Sequence, residues 1–211
     1  MSESANAKSL IVIAETNFIL DIVFEQSEQA DRLFTLALGH AIPIVAPEYS
    51  FAEARGNLVH TIEGRVTIID SMTRVLRQSA RSAYQQNLEA LMTALEQFRE
   101  WSITVEMETS QLRIDTLKEQ IVQIPFNNEI ATRAELRELN RYPPEKPTDK
   151  RVYESILMFA RENPGIQMLF LTTDRSDFDL DFIREELAEN GIEIFFSSGD
   201  CIRRIREILG I

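Results

Sequence analysis

Five short apolar runs, separated by segments of helical pattern, constrain the fold of this chain more than any other feature. The runs occupy residues 10–14, 42–46, 121–126, 168–171 and 192–196. A short continuous apolar run is typical of a strand buried on both faces, as in parallel sheets. Because helical segments separate the strands, the order predicts a sheet covered by helices on both sides.

One long stretch departs from this alternation. Between residues 65 and 124 the sequence has no Gly and no Pro, and apolar residues recur every three or four positions. That spacing predicts long helices, with a break near residues 101–105. We therefore predict an α/β, Rossmann-like three-layer sandwich with a mostly parallel five-stranded sheet. It would be a single domain over residues 1–211, with a helical insertion at about residues 60–118.

The charge balance limits the classes of partner. Lys and Arg number 22 against 34 Asp and Glu, for a net charge of −12. Such a chain does not bind nucleic acid by bulk electrostatics, so a polyanion needs a local basic patch or bridging metal ions. Residues 55–81 hold five arginines against two acids. The candidate phosphate contacts there are Arg55, Arg74, Arg77 and Arg81, and a solvated helix face is the alternative.

Compartment signals are sparse. Cys201 is the single cysteine, which excludes an internal disulfide and fits a reducing compartment. We expect it to be a small packed residue. The first residues lack a charged region followed by an apolar one, and no run approaches the ~20 apolar residues of a membrane span. These observations predict a cytoplasmic protein without membrane contact.

Several carboxylates are expected at one edge of the sheet. Ligands of open α/β sheets gather outside the carboxyl ends of the strands. The candidates from four regions are Glu15, Glu53, Asp149 or Glu154, and Asp174 with Asp177. Helix capping would explain Asp149, whereas Glu154 has no capping role. Clustered carboxylates repel one another unless cations are present, and oxygen-only ligation favours Mg²⁺ or Mn²⁺. Two such ions can support phosphodiester cleavage.

The order of these motifs resembles a PIN domain, the metal-dependent nuclease fold of VapC-type toxins and of larger RNA-processing proteins. The stretch IVIAETNFIL matches the first motif at Glu15, and PEYSFAE matches the second at Glu53, with Glu48 as the alternative. The run from Tyr153 to Leu157 matches the third motif at Glu154, with Asp149 as the alternative, and TTDRSDF matches the last at Asp174 and Asp177. The third strand of the family and the helix that follows it are similar to the stretch IVQIPFNNEIATRAEL. The resemblance covers residues 9–60 and 119–200.

This resemblance implies an endoribonuclease that cuts single-stranded RNA with Mg²⁺ or Mn²⁺. Glu15, Glu53, Glu154 (or Asp149) and Asp174 would hold metal, and Asp177 would be a fifth ligand or orient water. The expected supporting donors are Thr16, Asn17, Thr172 and Thr173. The resemblance implies RNA as a partner and leaves open an antitoxin, another protein partner and a homodimer.

Two departures support a different class of function. The first and third acids of the family are normally Asp, whereas this chain has Glu15 and, at the favoured third position, Glu154. A longer side chain displaces the metal, and a shift of ~1 Å can reduce a rate ~10²-fold. The alternative is a catalytically weakened PIN-like protein that acts as an RNA- or protein-binding module. A P-loop and a dinucleotide-binding glycine motif are absent, and His40 and His60 lie outside any hydrolase or zinc motif.

Overall fold

The chain forms an α/β sandwich around a five-stranded sheet. The computed structural model describes residues 10–79 and 85–211. The strand order is β3-β2-β1-β4-β5, and every neighbouring pair is parallel. This confirms the predicted fold class, and the sheet is entirely rather than mostly parallel.

The strands coincide with the apolar runs, with small differences at their ends. Their bounds are β1 Leu10–Ala14, β2 Ile44–Pro47, β3 Val122–Ile124, β4 Gln167–Leu171 and β5 Ile192–Phe195. Pro47 is the last residue of β2. It is level with Ile124 at the end of the pairing, where a missing N–H interrupts little of the ladder.

Ten α-helices lie in the described part of the chain. They are α1 Thr16–Val23, α2 Glu28–Gly39, α3 Glu48–Ser79, α4 Gln85–Trp101, α5 Met107–Gln120, α6 Asn128–Leu139, α7 Pro147–Glu162, α8 Arg175–Phe178, α9 Asp181–Glu189 and α10 Ser198–Leu209. Of the two candidate caps that the sequence offers for α6, Asn127 and Asn128, the structure has Asn127. The predicted caps of α7 were Thr148 or Asp149, but the cap is Lys146, because Pro147 takes the first helical position.

Alternate residues of β1 enter two separate apolar layers. Leu10, Val12 and Ala14 pack with α1, α3 and α10 on one face, whereas Ile11 and Ile13 pack with α7 and α9 on the other. This alternation is why an uninterrupted apolar run is needed in a central strand. Cys201 of α10 is fully buried in the first layer, as expected.

The insertion consists of the distal part of α3, then α4 and the start of α5. The predicted break near residues 101–105 is a π-helical segment, Ser102–Glu106, that joins α4 to α5 without a turn. Two ion pairs connect α3 to α4. Arg77 pairs with Glu96 at 2.9 Å, and Arg99 pairs with Asp70 at 2.8 Å. Among residues 10–79 and 85–211, no helix is long and apolar enough to cross a membrane.

Candidate metal centre

Three aspartates from two separate stretches of the chain meet at the carboxyl edge of the sheet. Asp149, Asp174 and Asp177 each place one carboxylate oxygen within 4.8 Å of the other two. Asp149 lies in the first turn of α7, whereas the other two follow β4. We call these residues the aspartate cluster. Asp149 of α7 therefore lies close to Asp174 and Asp177, which follow β4 in the sequence.

Short-range hydrogen bonds hold the turn after β4. The hydroxyl of Thr172 accepts the N–H of Asp174 at 3.0 Å. The carbonyl of Thr173 accepts the N–H of Arg175 at 3.1 Å. Asp174 caps α8 by accepting the N–H of Asp177 at 3.1 Å and the hydroxyl of Ser176 at 2.5 Å. Burial opposes ionisation of Asp174, but its hydrogen bonds, led by that of Ser176, outweigh burial and lower its pKa to about 2. Asp174 is therefore a fixed anion near neutral pH.

Two of the predicted acids lie away from this cluster. Glu154 accepts a hydrogen bond from Nε of Arg137 at 2.6 Å, and both side chains are only 6% exposed. Five residues of α-helix rotate a side chain by about 140°, so Glu154 and Asp149 cannot face the same site. Glu48, the alternative in α3, accepts the N–H of Phe126 at 3.2 Å. Glu154 thus joins α7 to α6, and Asp149 is the acid that α7 contributes.

Glu15 and Glu53 follow β1 and β2, the next two strands of the sheet after β4. Glu15 caps α1, and its Oε2 accepts the N–H of Asn17 at 3.1 Å. Thr16, the first residue of α1, donates its hydroxyl to Oε2 of Glu53 at 2.6 Å. Glu53 is in the second turn of α3, directly after β2. Thr16 and Asn17 therefore donate hydrogen bonds to the two glutamates, and their role as supporting donors of a metal site stays a prediction.

Electrostatic interactions connect the glutamates to the aspartate cluster. Burial raises the pKa of Glu15 to about 7, and the charges of Glu53 and Asp149 add to this rise. Burial also raises the pKa of Asp149 to about 6, where Lys146 opposes the rise and the charges of Asp177 and Glu53 add to it. Because these acids act on one another across both groups, they form a single negatively charged site.

Lys146 was missed by sequence reasoning and is the cation of this site. Its Nζ lies 2.6 Å from Oδ2 of Asp177 and 3.1 Å from Oδ2 of Asp174. Oδ2 of Asp149 is 3.5 Å away. The hydrogen bonds to Asp177 and Asp174 raise the pKa of Lys146. The available signal was a lysine three residues before Asp149 and directly before the proline that opens α7.

The donor set fits a divalent cation of the magnesium type. Within the described ranges, Oε1 of Glu15 and Oδ2 of Asp149 are buried carboxylate oxygens that make no hydrogen bond. Among the described residues, Oδ2 of Asp149 has only the ammonium of Lys146, 3.5 Å away, and Oε1 of Glu15 has no partner at all, which is unfavourable for a buried oxygen and would be relieved by a cation. All the available ligands are carboxylate oxygens, which suits Mg²⁺ or Mn²⁺ and not zinc. The aspartate cluster could hold one ion, and Glu15 with Glu53 could complete a second position.

Two of the four arginines predicted to bind RNA form ion pairs in the structure. Arg55 pairs with Asp115, and Arg77 pairs with Glu96. Arg74 is exposed and lies 21 residues beyond Glu53 in α3. At ~1.5 Å per residue it is ~31 Å from that acid along the helix axis. Arg81 falls outside the described residues. RNA binding by this group stays a prediction.

Comparison with known proteins identifies no relative. Neither the models of known protein families nor the curated proteins contain a match to this chain. Fold and site therefore define the class on their own: an all-parallel α/β sandwich with an acidic site at the carboxyl edge of its sheet.

Proposed function

We propose that the protein is a Mg²⁺- or Mn²⁺-dependent endoribonuclease of the PIN-like type that cleaves single-stranded RNA. The observation that carries this proposal is the meeting of Glu15, Glu53 and the aspartate cluster at one sheet edge. These acids come from stretches far apart in the chain, and Oε1 of Glu15 is buried without a hydrogen-bond partner in the described part of the chain. A set of this kind matches cation binding better than a structural role.

Assigning Asp149 to the site in place of Glu154 strengthens the proposal. The family that the sequence resembles normally has Asp at the first and third acidic positions. The position of Asp149 in the aspartate cluster supports Asp149 as the third acid, and on that assignment Glu15 is the one departure from the family pattern. Thr16, the residue after Glu15, donates its hydroxyl to Glu53 and so holds Glu53 near Glu15.

The chain's own residues would have distinct tasks in phosphodiester hydrolysis. Divalent ions in such a site activate water and stabilise the leaving oxygen. Asp174, with its low pKa, would remain an anionic ligand, and Thr172 and Ser176 hold it in one orientation. Asp177 is fixed by the N–H of Glu145 at 3.1 Å and would be a further ligand or orient water.

The direct test is cleavage of a mixed single-stranded RNA pool with Mn²⁺ or with EDTA. We expect cleavage by the wild type only with Mn²⁺ and a loss of at least ~100-fold in Asp174→Asn. Asn can still cap α8, so this variant should fold normally. Full Mn²⁺-dependent cleavage by Asp174→Asn would contradict the proposal.

A paired comparison separates the two acids of α7. We expect Asp149→Asn to weaken Mn²⁺ binding and cleavage while the protein stays folded. Glu154→Gln should instead remove one of the two acids that pair with Arg137, which keeps Glu186 at 2.9 Å, and reduce the free energy of unfolding by ~1.5–3 kcal/mol. If Glu154→Gln abolished Mn²⁺ binding in a fully folded protein, the metal centre would need to be redrawn.

A binding module without catalysis is the second candidate. The observation in its favour is Lys146, whose ammonium group already neutralises part of the aspartate cluster. In that case the site would be a structural ion-pair network, and RNA or a protein would bind elsewhere. Failure to bind Mn²⁺ at millimolar concentration would favour this candidate over the nuclease.

A further inference from the structure

Four arginines and a phenylalanine form a surface beside the acidic site. Arg175, Arg184, Arg203 and Arg204 line a cavity of about 440 Å³ together with Phe196. We call these five residues the edge platform. They lie around β5, which is the last strand on one side of the sheet. A cavity of this size is large enough for a nucleotide-sized group.

The centre of the edge platform is an aromatic ring covered by guanidinium groups. The guanidinium carbon of Arg175 is 4.5 Å from the ring centroid of Phe196, and that of Arg184 is 5.3 Å away. Phe196 is half-buried. Aromatic rings and guanidinium planes are the groups on which proteins stack unpaired bases.

The arginines of the edge platform can exchange their present partners. Arg175 pairs with Asp179 at 2.9 Å and Arg204 pairs with Glu193 at 2.9 Å, while Arg203 pairs with Asp200. The side chains of Arg175 and Arg203 are 63% and 68% exposed. Ion pairs this exposed contribute little to stability, so a phosphate can replace the carboxylate at small cost.

The edge platform lies closer to the acidic site than Arg74 of the insertion does. Phe196 directly follows β5, and its neighbour Phe195 accepts the N–H of Thr172, two residues before Asp174. Arg175 is adjacent to Asp174 in the chain. Two strand spacings, ~10 Å in all, separate β1 from β5, whereas Arg74 is ~31 Å from Glu53 along α3. A strand of RNA at the acidic site that extends over β5 would therefore reach the edge platform.

We infer that the edge platform binds the nucleotides next to the cleaved phosphodiester, by guanidinium–phosphate contacts and by stacking of one base on the exposed guanidinium of Arg175, which lies over Phe196. This inference rests on the proposed function, because it takes single-stranded RNA as the substrate. Its four arginines are balanced by neighbouring acids, so the patch is nearly neutral in a protein of net charge −12. RNA is repelled less there than elsewhere on the surface.

The test measures RNA binding apart from cleavage. All proteins carry Asp174→Asn, so that a fluorescein-labelled oligouridine stays intact, and its fluorescence anisotropy is followed with Mn²⁺ present. The test variant is Arg184→Gln with Arg203→Gln. The matched control is Arg74→Gln with Arg77→Gln, which removes the same charge from the insertion. Thermal unfolding of each protein verifies its fold.

We expect the test variant to bind oligouridine at least tenfold more weakly and the control to stay within twofold. The slope of log K against log salt should fall by about 1.4, since each lost phosphate contact accounts for ~0.7. Phe196→Leu, which keeps apolar bulk, should weaken binding roughly fivefold or more, because Arg175 loses the ring that holds its guanidinium in place for stacking.

Three results would overturn the inference: a larger effect in the control than in the test variant, no binding of oligouridine by any protein, or binding of an acidic peptide in place of RNA. Cleavage by proteins with an intact Asp174 is measured separately. Cleavage whose KM is unchanged by Arg184→Gln with Arg203→Gln would reject the edge platform and keep the nuclease. Binding through the edge platform without metal-dependent cleavage would reject the nuclease and keep the edge platform.

Discussion

Glu15 shows at the residue scale how a candidate site can oppose stability. Its carboxylate is almost completely buried, and its Oε1 has no hydrogen-bond partner in the described structure. Burial raises its pKa from 4.5 to about 7. The folded protein therefore retains a proton on Glu15 that the unfolded chain has already released, and folding becomes less favourable as that proton is lost.

This gives a prediction for the pH dependence of stability without metal. Between about pH 4.5 and pH 7 the unfolded chain ionises at Glu15 before the folded protein does, so the free energy of unfolding falls as pH rises. We expect Glu15→Gln to be more stable than the wild type by up to about 3 kcal/mol near pH 8, and nearly equal below pH 4.5. Urea unfolding in EDTA across this range measures the difference.

Glu119→Gln is the control, because Glu119 is an exposed acid of α5. Its unfolding free energy should stay within ~0.5 kcal/mol of the wild type at every pH. Parallel pH profiles for Glu15→Gln and the wild type would show that Glu15 is not a buried, strained anion. Adding Mn²⁺ should stabilise the wild type near pH 8 and should stabilise Glu15→Gln less.

Lys146 leads to a second prediction at this scale. Its ammonium contacts all three residues of the aspartate cluster, so it and a divalent cation would use the same carboxylates. We expect Lys146→Met to lower the melting temperature of the metal-free protein and to raise Mn²⁺ affinity severalfold. Calorimetric titration with Mn²⁺ and thermal unfolding in EDTA measure the two effects.

Lys118→Met, in α5, removes the same charge away from the cluster and should leave Mn²⁺ affinity unchanged. Weaker Mn²⁺ binding in Lys146→Met would mean that Lys146 supports the cation site and does not compete for it.

At the scale of elements, the insertion is separable from the core. The apolar layer beside α3 includes Leu58 and Ile62 from α3 and Ile114 from α5. No residue of α4 belongs to either core layer in the described structure. The distal α3–α4 pair is instead joined by exposed ion pairs such as Arg77 with Glu96. Its removal should therefore expose little of the core.

We predict that replacing residues 72–97 with a short Gly-Ser linker leaves a folded protein. Arg99 contacts Asp70 at 2.8 Å, so the two helices are adjacent at the point of the join. Without core loss, the free energy of unfolding should change by no more than ~1–2 kcal/mol. Circular dichroism and urea unfolding test the fold, and Mn²⁺ titration tests the metal site.

Collapse of the shortened protein, or loss of its Mn²⁺ binding, would contradict this view of the insertion. Retained Mn²⁺ binding with weakened RNA binding would instead return the RNA contacts to Arg74 and its neighbours.

For the whole molecule, topology brings the acids together. In the order β3-β2-β1-β4-β5, the strands that precede Glu15, Glu53 and Asp174 are neighbours. Parallel strands align their carboxyl ends, so residues far apart in the chain meet at one edge. The net charge of −12 makes such a site depend on cations, whether from Lys146 or from a metal ion.

Much of this arrangement follows from the sequence alone. Apolar runs bounded by polar residues determine where strands lie, because a central strand must be apolar on both faces. Glu15 and Asp174 could be assigned to the sheet edge because each directly follows such a run. The acidic site could thus be predicted from local pattern and parallel topology.

Only the tertiary structure showed that Asp149, and not Glu154, lies beside Asp174 and Asp177, and only it revealed Lys146 and the edge platform. Two acids on one helix differ by their rotation about its axis, and that rotation depends on where α7 packs and on which residue begins it. Glu154 faces Arg137 of α6, a partner that no local pattern specifies. Phe196 and its arginines come from separate elements, so their stacking depends on packing and not on spacing in the chain.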